Sequence, residues 1–171
     1  MKKVLLAFAL VATCFFSTQA QMKVNKFGYI NSLELLAAMP ESAVADQKIE
    51  EYGKALEASY AKMMTEYQKQ ATEFEGMMND SNISDATKQV AYEEVMALQQ
   101  KVGEFEASIN EKLAKKREEH YTPIINKAND AIKAVAKANG YTYIFDTSVG
   151  CLVYADETDD VIALVKKQLG I

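Results

Sequence analysis

The chain has 171 residues, of which 49% are hydrophobic and 25% are charged, and its net charge at pH 7 is −5. This balance excludes an intrinsically disordered chain. An acidic surface repels phosphates, so nucleic acid is also excluded as a general partner.

The first 20 residues have the pattern of a secretory signal peptide. Lys2 and Lys3 precede an apolar run over residues 4–16, and small residues lead to Ala20. We therefore expect export, with cleavage after Ala20. A retained anchor is the weaker alternative because the apolar run is shorter than the ~20 residues of a membrane span. A second alternative is lipidation at Cys14, although Thr13 matches a lipoprotein processing site poorly.

Short elements follow the signal peptide. The run Phe27-Gly-Tyr-Ile-Asn31 is typical of a strand, and Ser32 is a candidate cap for a short helix that Pro40 stops. Near the other end, residues 141–145 and 151–154 also read as strands, and residues 161–169 read as a helix. After cleavage Cys151 is the one remaining cysteine, and its apolar neighbours predict that it is buried as a small hydrophobic residue; the alternative is a reactive thiol.

A helical pattern dominates the region between Pro40 and Pro123. Turn-forming polar residues interrupt it near residues 79–83, which predicts two antiparallel helices of about 38 residues, each roughly 57 Å long. We expect Ser84 to cap the second helix and Asn139-Gly140 to end its continuation beyond Pro123. Folding the chain at residues 80–81 places Phe74 near Thr87.

Each predicted helix carries an apolar seam with an average spacing near 3.7 residues, which favours a nearly straight, self-paired hairpin. The first seam consists of Ala45, Ile49, Tyr52, Leu56, Tyr60, Met63, Tyr67, Ala71, Phe74 and Met78. The second consists of Ala91, Val95, Leu98, Val102, Phe105, Ile109, Leu113, Lys116, His120 and Ile124.

The predicted fold class is therefore α+β. Residues 21–40 and 124–171 build a small body, and residues 41–123 are inserted as a coiled-coil-like helical arm. A body of this size is marginal alone, so we expect oligomerisation. The expected oligomer contacts are Phe27, Tyr29, Ile144, Phe145 and Leu152.

Large apolar residues also lie outside the seams, where a simple hairpin needs only polar ones. They are Met64, Met77, Tyr92, Met96 and Tyr121, and the predicted folding sets Met64 level with Met96. A stripe of flexible methionine and tyrosine can bind varied apolar partners. The alternative is packing against a neighbouring arm.

No catalytic constellation is apparent, and we expect neither an enzyme nor a cofactor or metal. His120 is the one histidine and has no companion ligand in the sequence. Lys112, Lys115, Lys116 and Arg117 form a basic cluster that suits an anionic lipid. The alternative is an ordinary solvated surface, since acidic residues interrupt the cluster.

Taken together, these features resemble the Skp/OmpH family of periplasmic chaperones. The resemblance rests on Phe27-Gly-Tyr-Ile-Asn-Ser32, Gly103-Glu-Phe-Glu106, Lys115-Lys-Arg-Glu-Glu119, Ile132-Lys-Ala-Val-Ala136, Gly140-Tyr-Thr-Tyr-Ile-Phe-Asp146 and Asp159-Asp-Val-Ile162, in this order. It implies a homotrimer whose arms surround a cavity and hold unfolded outer-membrane proteins without ATP. It also implies a lipopolysaccharide site on the basic cluster. Better-known members have basic arms, whereas this chain is acidic. The alternative function is a structural coiled-coil protein of the envelope with a defined protein partner.

Overall fold

The computed structural model describes residues 25–171, so the predicted signal peptide and Cys14 lie outside the described residues. The elements in chain order are β1 (Phe27–Ile30), α1 (Ser32–Ala38), α2 (Pro40–Met78), α3 (Asp85–Asn139), β2 (Tyr143–Asp146) and α4 (Ile162–Leu169). Short 3-10 turns follow β2 and precede α4. The predicted class, a small strand-containing body with a long helical arm, is confirmed.

Helices α2 and α3 form the arm, and local signals define their ends. Pro40 occupies the first turn of α2, where its missing N–H leaves no hydrogen bond unmade. The Ser84 hydroxyl accepts from the Thr87 amide at 3.2 Å, as expected of an N-cap. Helix α3 runs for 55 residues, continues through Pro123, and ends where Gly140 adopts a left-handed φ of 71°.

The seam residues pack as predicted along the middle of the arm, where Ile49, Leu56, Val95 and Val102 are buried. Near the tip the prediction is wrong. Met78 is 53% exposed, whereas its neighbour Met77 is half-buried. At the tip, the half-buried side of α2 therefore carries Met77 rather than Met78.

The predicted pairing of the two helices is also wrong, by about five residues. The Phe74 ring meets the Tyr92 ring, with centroids 5.9 Å apart, rather than Thr87. Tyr60 Oη donates to Glu106 Oε2 at 3.3 Å in the same register. The cause lies at the tip. The prediction placed the centre of the turn at residues 80–81, whereas the turn extends to Ser84 and α3 begins only at Asp85. Met64 and Met96 are therefore not level.

Strands β1 and β2 pair in parallel, with Phe27 opposite Tyr143 and Ile30 opposite Asp146. The long excursion through the arm makes a parallel pair possible, because parallel strands need a crossover connection. On the other side of β1, the Val161 amide donates to the Tyr29 carbonyl at 3.0 Å. One face of this sheet covers the core.

The core lies between the sheet, α1, the last turns of α3 and α4. Its members are Ile30, Leu35, Met39, Ala45, Ile124, Ala128, Ala131, Val135, Val161 and Val165. The base of the arm is thus continuous with the body. The Asn31 side chain, rather than the predicted Ser32, caps α1 by accepting from the amides of Leu33 and Glu34.

The predicted strand over residues 151–154 is absent, and the predicted burial of Cys151 is wrong. Gly150 takes a left-handed φ of 70°, which ends the 3-10 turn and redirects the chain. Cys151 is exposed, with its Sγ donating to the Asp146 carbonyl at 2.9 Å. The segment is apolar, but it pairs with no strand among residues 25–171. A local preference for extended backbone is not enough to form a strand without a partner for its backbone hydrogen bonds.

Candidate functional site

The outer face of α3 carries the clearest candidate binding surface. Tyr92 is 46% exposed and Met96 is 44% exposed, and the two lie one helical turn apart. Together with Glu93 they line a shallow groove. Phe74 of α2 extends the surface through its contact with the Tyr92 ring. Tyr92 therefore makes one ring contact across the hairpin and still leaves nearly half of its surface exposed, and Met96 adds a second exposed apolar side chain beside it.

The other off-seam residues are less accessible. Met64 and Met77 are half-buried along the arm. Tyr121 is half-buried against the core of the body, and its hydroxyl donates to Asp46 Oδ1 at 2.6 Å. That hydrogen bond is the main reason why the pKa of Tyr121 lies above its ordinary value. Of the five predicted residues, Tyr92 and Met96 are therefore the ones openly presented to solvent.

An aromatic face covers the outside of the sheet. The ring of Phe27 lies 5.8 Å from that of Tyr143 and 6.2 Å from that of Phe145. Tyr143 is 56% exposed on the same face, although it was not among the oligomer contacts expected from the sequence. Side chains alternate between the two faces of a strand, so the position of Phe145 indicates that Tyr143 lies beside it. We define the aromatic face as Phe27, Tyr29, Tyr143 and Phe145.

The remaining predicted oligomer contacts are placed differently. Ile144 points to the opposite side of the sheet and packs against the core. Leu152 is half-buried and lines a groove with Phe27 and Tyr154. Tyr29 is half-buried; desolvation, reinforced by the nearby carboxylates of residues 156–160, raises its pKa.

The basic cluster on α3 does not converge on one point. The ammonium of Lys112 lies 4.2 Å from the centroid of the Phe105 ring, and that of Lys116 lies 3.1 Å from Glu119 Oε2. Arg117 lies about 160° around the helix from Lys115, at ~100° per residue. Its guanidinium thus belongs to another surface.

That other surface is a groove at the base of the arm, which the sequence pattern did not indicate. Leu33 of α1 is 64% exposed and lines the groove with Leu36, Tyr121, Ile125 and Arg117. Leu33 and Ile125 lie on different helices, so only their packing brings them together.

His120 lies on the opposite side of the arm base, in a groove bounded by Glu41, Lys48 and Lys127. Lys127 donates to Glu41, and this hydrogen bond is the main cause that holds the pKa of Glu41 below its ordinary value. The Nε2 atom of His120 is buried and has no hydrogen-bond partner within the described chain. Over residues 25–171, no three histidine, cysteine or carboxylate side chains gather as metal ligands, and no helix is long and apolar enough to cross a membrane.

Comparison with known proteins places this architecture in a family. Chaperone protein Skp of Yersinia enterocolitica is 25% identical over 154 residues, covering 90% of this chain and 91% of that protein. Chaperone protein Skp of Photorhabdus luminescens is 24% identical over 170 residues, covering 99% of each chain. The structure of an OmpH-like protein from Caulobacter crescentus has the same fold, with a TM-score of 0.71 at 11% identity over 85% of this chain and 84% of that one. The model of the family described as outer membrane protein (OmpH-like) matches residues 26–169, so the chain belongs to the OmpH-like family.

Proposed function

We propose that this chain is an ATP-independent holdase chaperone of the periplasm, which sequesters unfolded outer-membrane proteins between its helical arms. The observation that carries the proposal is the pair of side chains on α3, Tyr92 and Met96, which stay 46% and 44% exposed although the Tyr92 ring also contacts Phe74 of α2. The curated relatives, which are named as chaperones, support the same class of function.

The mechanism follows from the chemistry of this surface. Methionine and tyrosine present large, adaptable apolar areas, which suit clients of varied sequence. Each contact with an unfolded chain is weak, and several arms acting on one client raise the effective concentration of the next contact. Such binding is reversible without nucleotide hydrolysis, because the client's own folding competes with the many weak contacts.

We propose that the arms are brought together by a homotrimer formed through the body. The aromatic face is apolar and exposed, and β2 uses only one of its edges within the described chain. Val153 and Tyr154 are also exposed on an adjacent apolar segment. Burial of these residues between copies would stabilise a body that is small on its own.

The basic residues of α3 support a second proposal, a contact with anionic lipid such as lipopolysaccharide. Lys115 is exposed, and Lys112 and Lys116 flank it on the same side of α3. Replacing Lys115 with Gln should then weaken retention on lipopolysaccharide micelles. Arg117→Gln is the matched control because it lies on the other surface, and equal retention of both variants would contradict the assignment.

An aggregation assay tests the holdase proposal. An outer-membrane β-barrel protein is diluted from urea with and without stoichiometric oligomer, and light scattering is followed. We expect delayed aggregation, and we expect the double variant Tyr92→Ala with Met96→Ala to lose most of that delay while retaining its native mass. The control is Val44→Ala, which removes an exposed apolar side chain near the base of the arm.

The rival function, a structural coiled-coil protein with one partner, makes the opposite prediction. It expects no delay of aggregation and a single stoichiometric complex in cross-linking from the envelope. If the Tyr92 and Met96 variant instead loses its oligomeric mass, those residues pack between neighbouring arms rather than on clients.

A further inference from the structure

The acidic charge of the protein is concentrated at the distal part of the arm. The Tyr60–Glu106 hydrogen bond marks a level across the hairpin, and residues 60–106 lie at or beyond it. This stretch contains nine acidic and four basic residues, a net charge of −5. The whole chain carries −5, or −7 without Lys2 and Lys3, so the rest of the mature chain contributes only −2.

Most of these distal carboxylates have no cationic partner. Among the described residues, Lys69 with Glu73, at 3.9 Å, is the ion pair in this stretch. Glu93 accepts from the neutral amide of Gln89, and Glu104 accepts from that of Gln100. Toward the base, Lys54 pairs with Glu50 and Lys127 pairs with Glu41, and the difference between the two regions lies in their net charge.

The same distal stretch carries most of the exposed apolar side chains of the arm, namely Met78, Val90, Tyr92 and Met96. The two features are interleaved. Glu93 lines the groove of Tyr92 and Met96, and Asp85 lines the adjoining groove with Phe74 and Lys88. An apolar surface bordered by more carboxylates than cations matches a chain segment in which apolar residues alternate with lysine or arginine.

We propose that the distal arm, residues 60–106, selects unfolded client segments that are apolar and positively charged. This inference rests on the holdase function proposed above. The apolar side chains of the client contact the Tyr92 and Met96 groove, and its cations approach Glu93, Glu94 and the neighbouring carboxylates. Because the charges are exposed, they set preference and association rate more than total affinity.

Three unstructured peptides with the same apolar residues provide the test. Their polar positions carry Lys, Glu or Ser, and binding to the full-length oligomer is measured by fluorescence anisotropy. The effects of three or four weak charge contacts on the binding constant multiply. We therefore expect the Lys peptide to bind roughly tenfold more tightly than the Glu peptide at low salt. The preference should vanish near 0.5 M NaCl, where the Debye length is on the order of 4 Å.

Matched variants locate the effect on the arm. The distal variant replaces Glu75, Glu93, Glu94 and Glu104 with Gln, and the basal control replaces Glu51, Glu57, Glu111 and Glu118 with Gln. Both variants change the net charge equally, at exposed helical positions. The distal variant should reduce the preference to about twofold or less, whereas the basal control should retain most of it. The double variant Glu93→Lys with Glu94→Lys should reverse the preference, so that the Glu peptide binds more tightly than the Lys peptide.

The outcomes separate this inference from the holdase proposal. Equal binding of the Lys and Glu peptides, or equal effects of the distal and basal variants, would overturn the charge selection alone, provided that the Ser peptide binds and aggregation is delayed. If none of the three peptides binds and aggregation is not delayed, the holdase proposal itself fails. Circular dichroism verifies that each variant keeps its helix content.

Discussion

The hydroxyl of Ser32 donates a hydrogen bond of 2.6 Å to Asp146 Oδ2, which joins the first turn of α1 to the end of β2 across 114 positions of sequence. The amides of Ser32 and Ser148 also donate to Oδ1 of the same carboxylate. Burial disfavours the ionised form of Asp146, but these hydrogen bonds outweigh it and hold its pKa below the ordinary value.

Replacing Asp146 with Asn should therefore destabilise the body by about 1–3 kcal/mol, because it removes the negative charge that strengthens these hydrogen bonds and replaces the acceptor of the Ser32 hydroxyl with a donor. Urea denaturation at pH 7 measures this difference. Asp130→Asn is the control, since Asp130 is exposed and makes only a 3.6 Å surface ion pair with Lys133.

The same carboxylate predicts a pH dependence. The pKa of Asp146 is lower in the folded than in the unfolded chain, so the unfolded state takes up the proton first as the pH falls. The stability contributed by ionised Asp146 is present above the unfolded pKa of about 4 and is lost as the pH falls through the lower folded value. The difference in the free energy of unfolding between wild type and Asp146→Asn should therefore become smaller as the pH falls over that range. An equal difference in urea denaturation at pH 3 and at pH 7 would contradict this assignment.

Two glycines should respond oppositely to alanine. A Cβ atom at Gly28 would lie 2.9 Å from Tyr141 Cε1 and 3.0 Å from Val161 Cγ1, so Gly28→Ala should cost about 1–3 kcal/mol. At Gly103, inside α3, a Cβ meets nothing within 4 Å, so Gly103→Ala should stabilise the arm by up to about 1 kcal/mol. Thermal denaturation of both variants measures whether each change lowers or raises stability. A destabilised Gly103→Ala variant would show that the arm needs its glycine for another reason.

The Tyr121 hydroxyl and Asp46 Oδ1 connect α3 to α2 at the arm base. A double-mutant cycle of Tyr121→Phe and Asp46→Asn should give a coupling of about 0.5–1 kcal/mol, which is typical of an accessible hydrogen bond. Because the Tyr121 ring packs against the core, Tyr121→Ala should lower stability before it affects client binding. If Tyr121→Ala is as stable as wild type yet holds clients poorly, Tyr121 contacts clients together with Tyr92 and Met96.

The aromatic face predicts an effect on assembly. Tyr143→Ser with Phe145→Ser should lower the native mass measured by light scattering, since both side chains are exposed on the outer side of the sheet. Leu33→Ser is the control, because it removes an exposed apolar residue from the groove at the arm base. An unchanged mass of the double variant, with a normal circular dichroism spectrum, would place the interface elsewhere.

The two helices of the arm and their ends were predictable from the sequence because they depend on residues that are close together along the chain. The Ser84 cap, the left-handed Gly140 and the apolar spacing of the seams each act within a few positions along a helix. The candidate residues Tyr92 and Met96 could be identified for the same reason, because helical periodicity alone gives their position around the helix relative to the seam.

Tertiary structure decided the rest. The tip turn sets the pairing of α2 with α3, and a shift of a few residues there moved Met64 away from Met96. Whether residues 151–154 form a strand depends on a partner edge rather than on β-branched residues. The pairing of Phe27 with Tyr143 joins positions on either side of the entire arm. Helical pattern is local and was read from the sequence by itself, whereas strand partners and helix register depend on contacts between distant segments, and only the folded chain defines them.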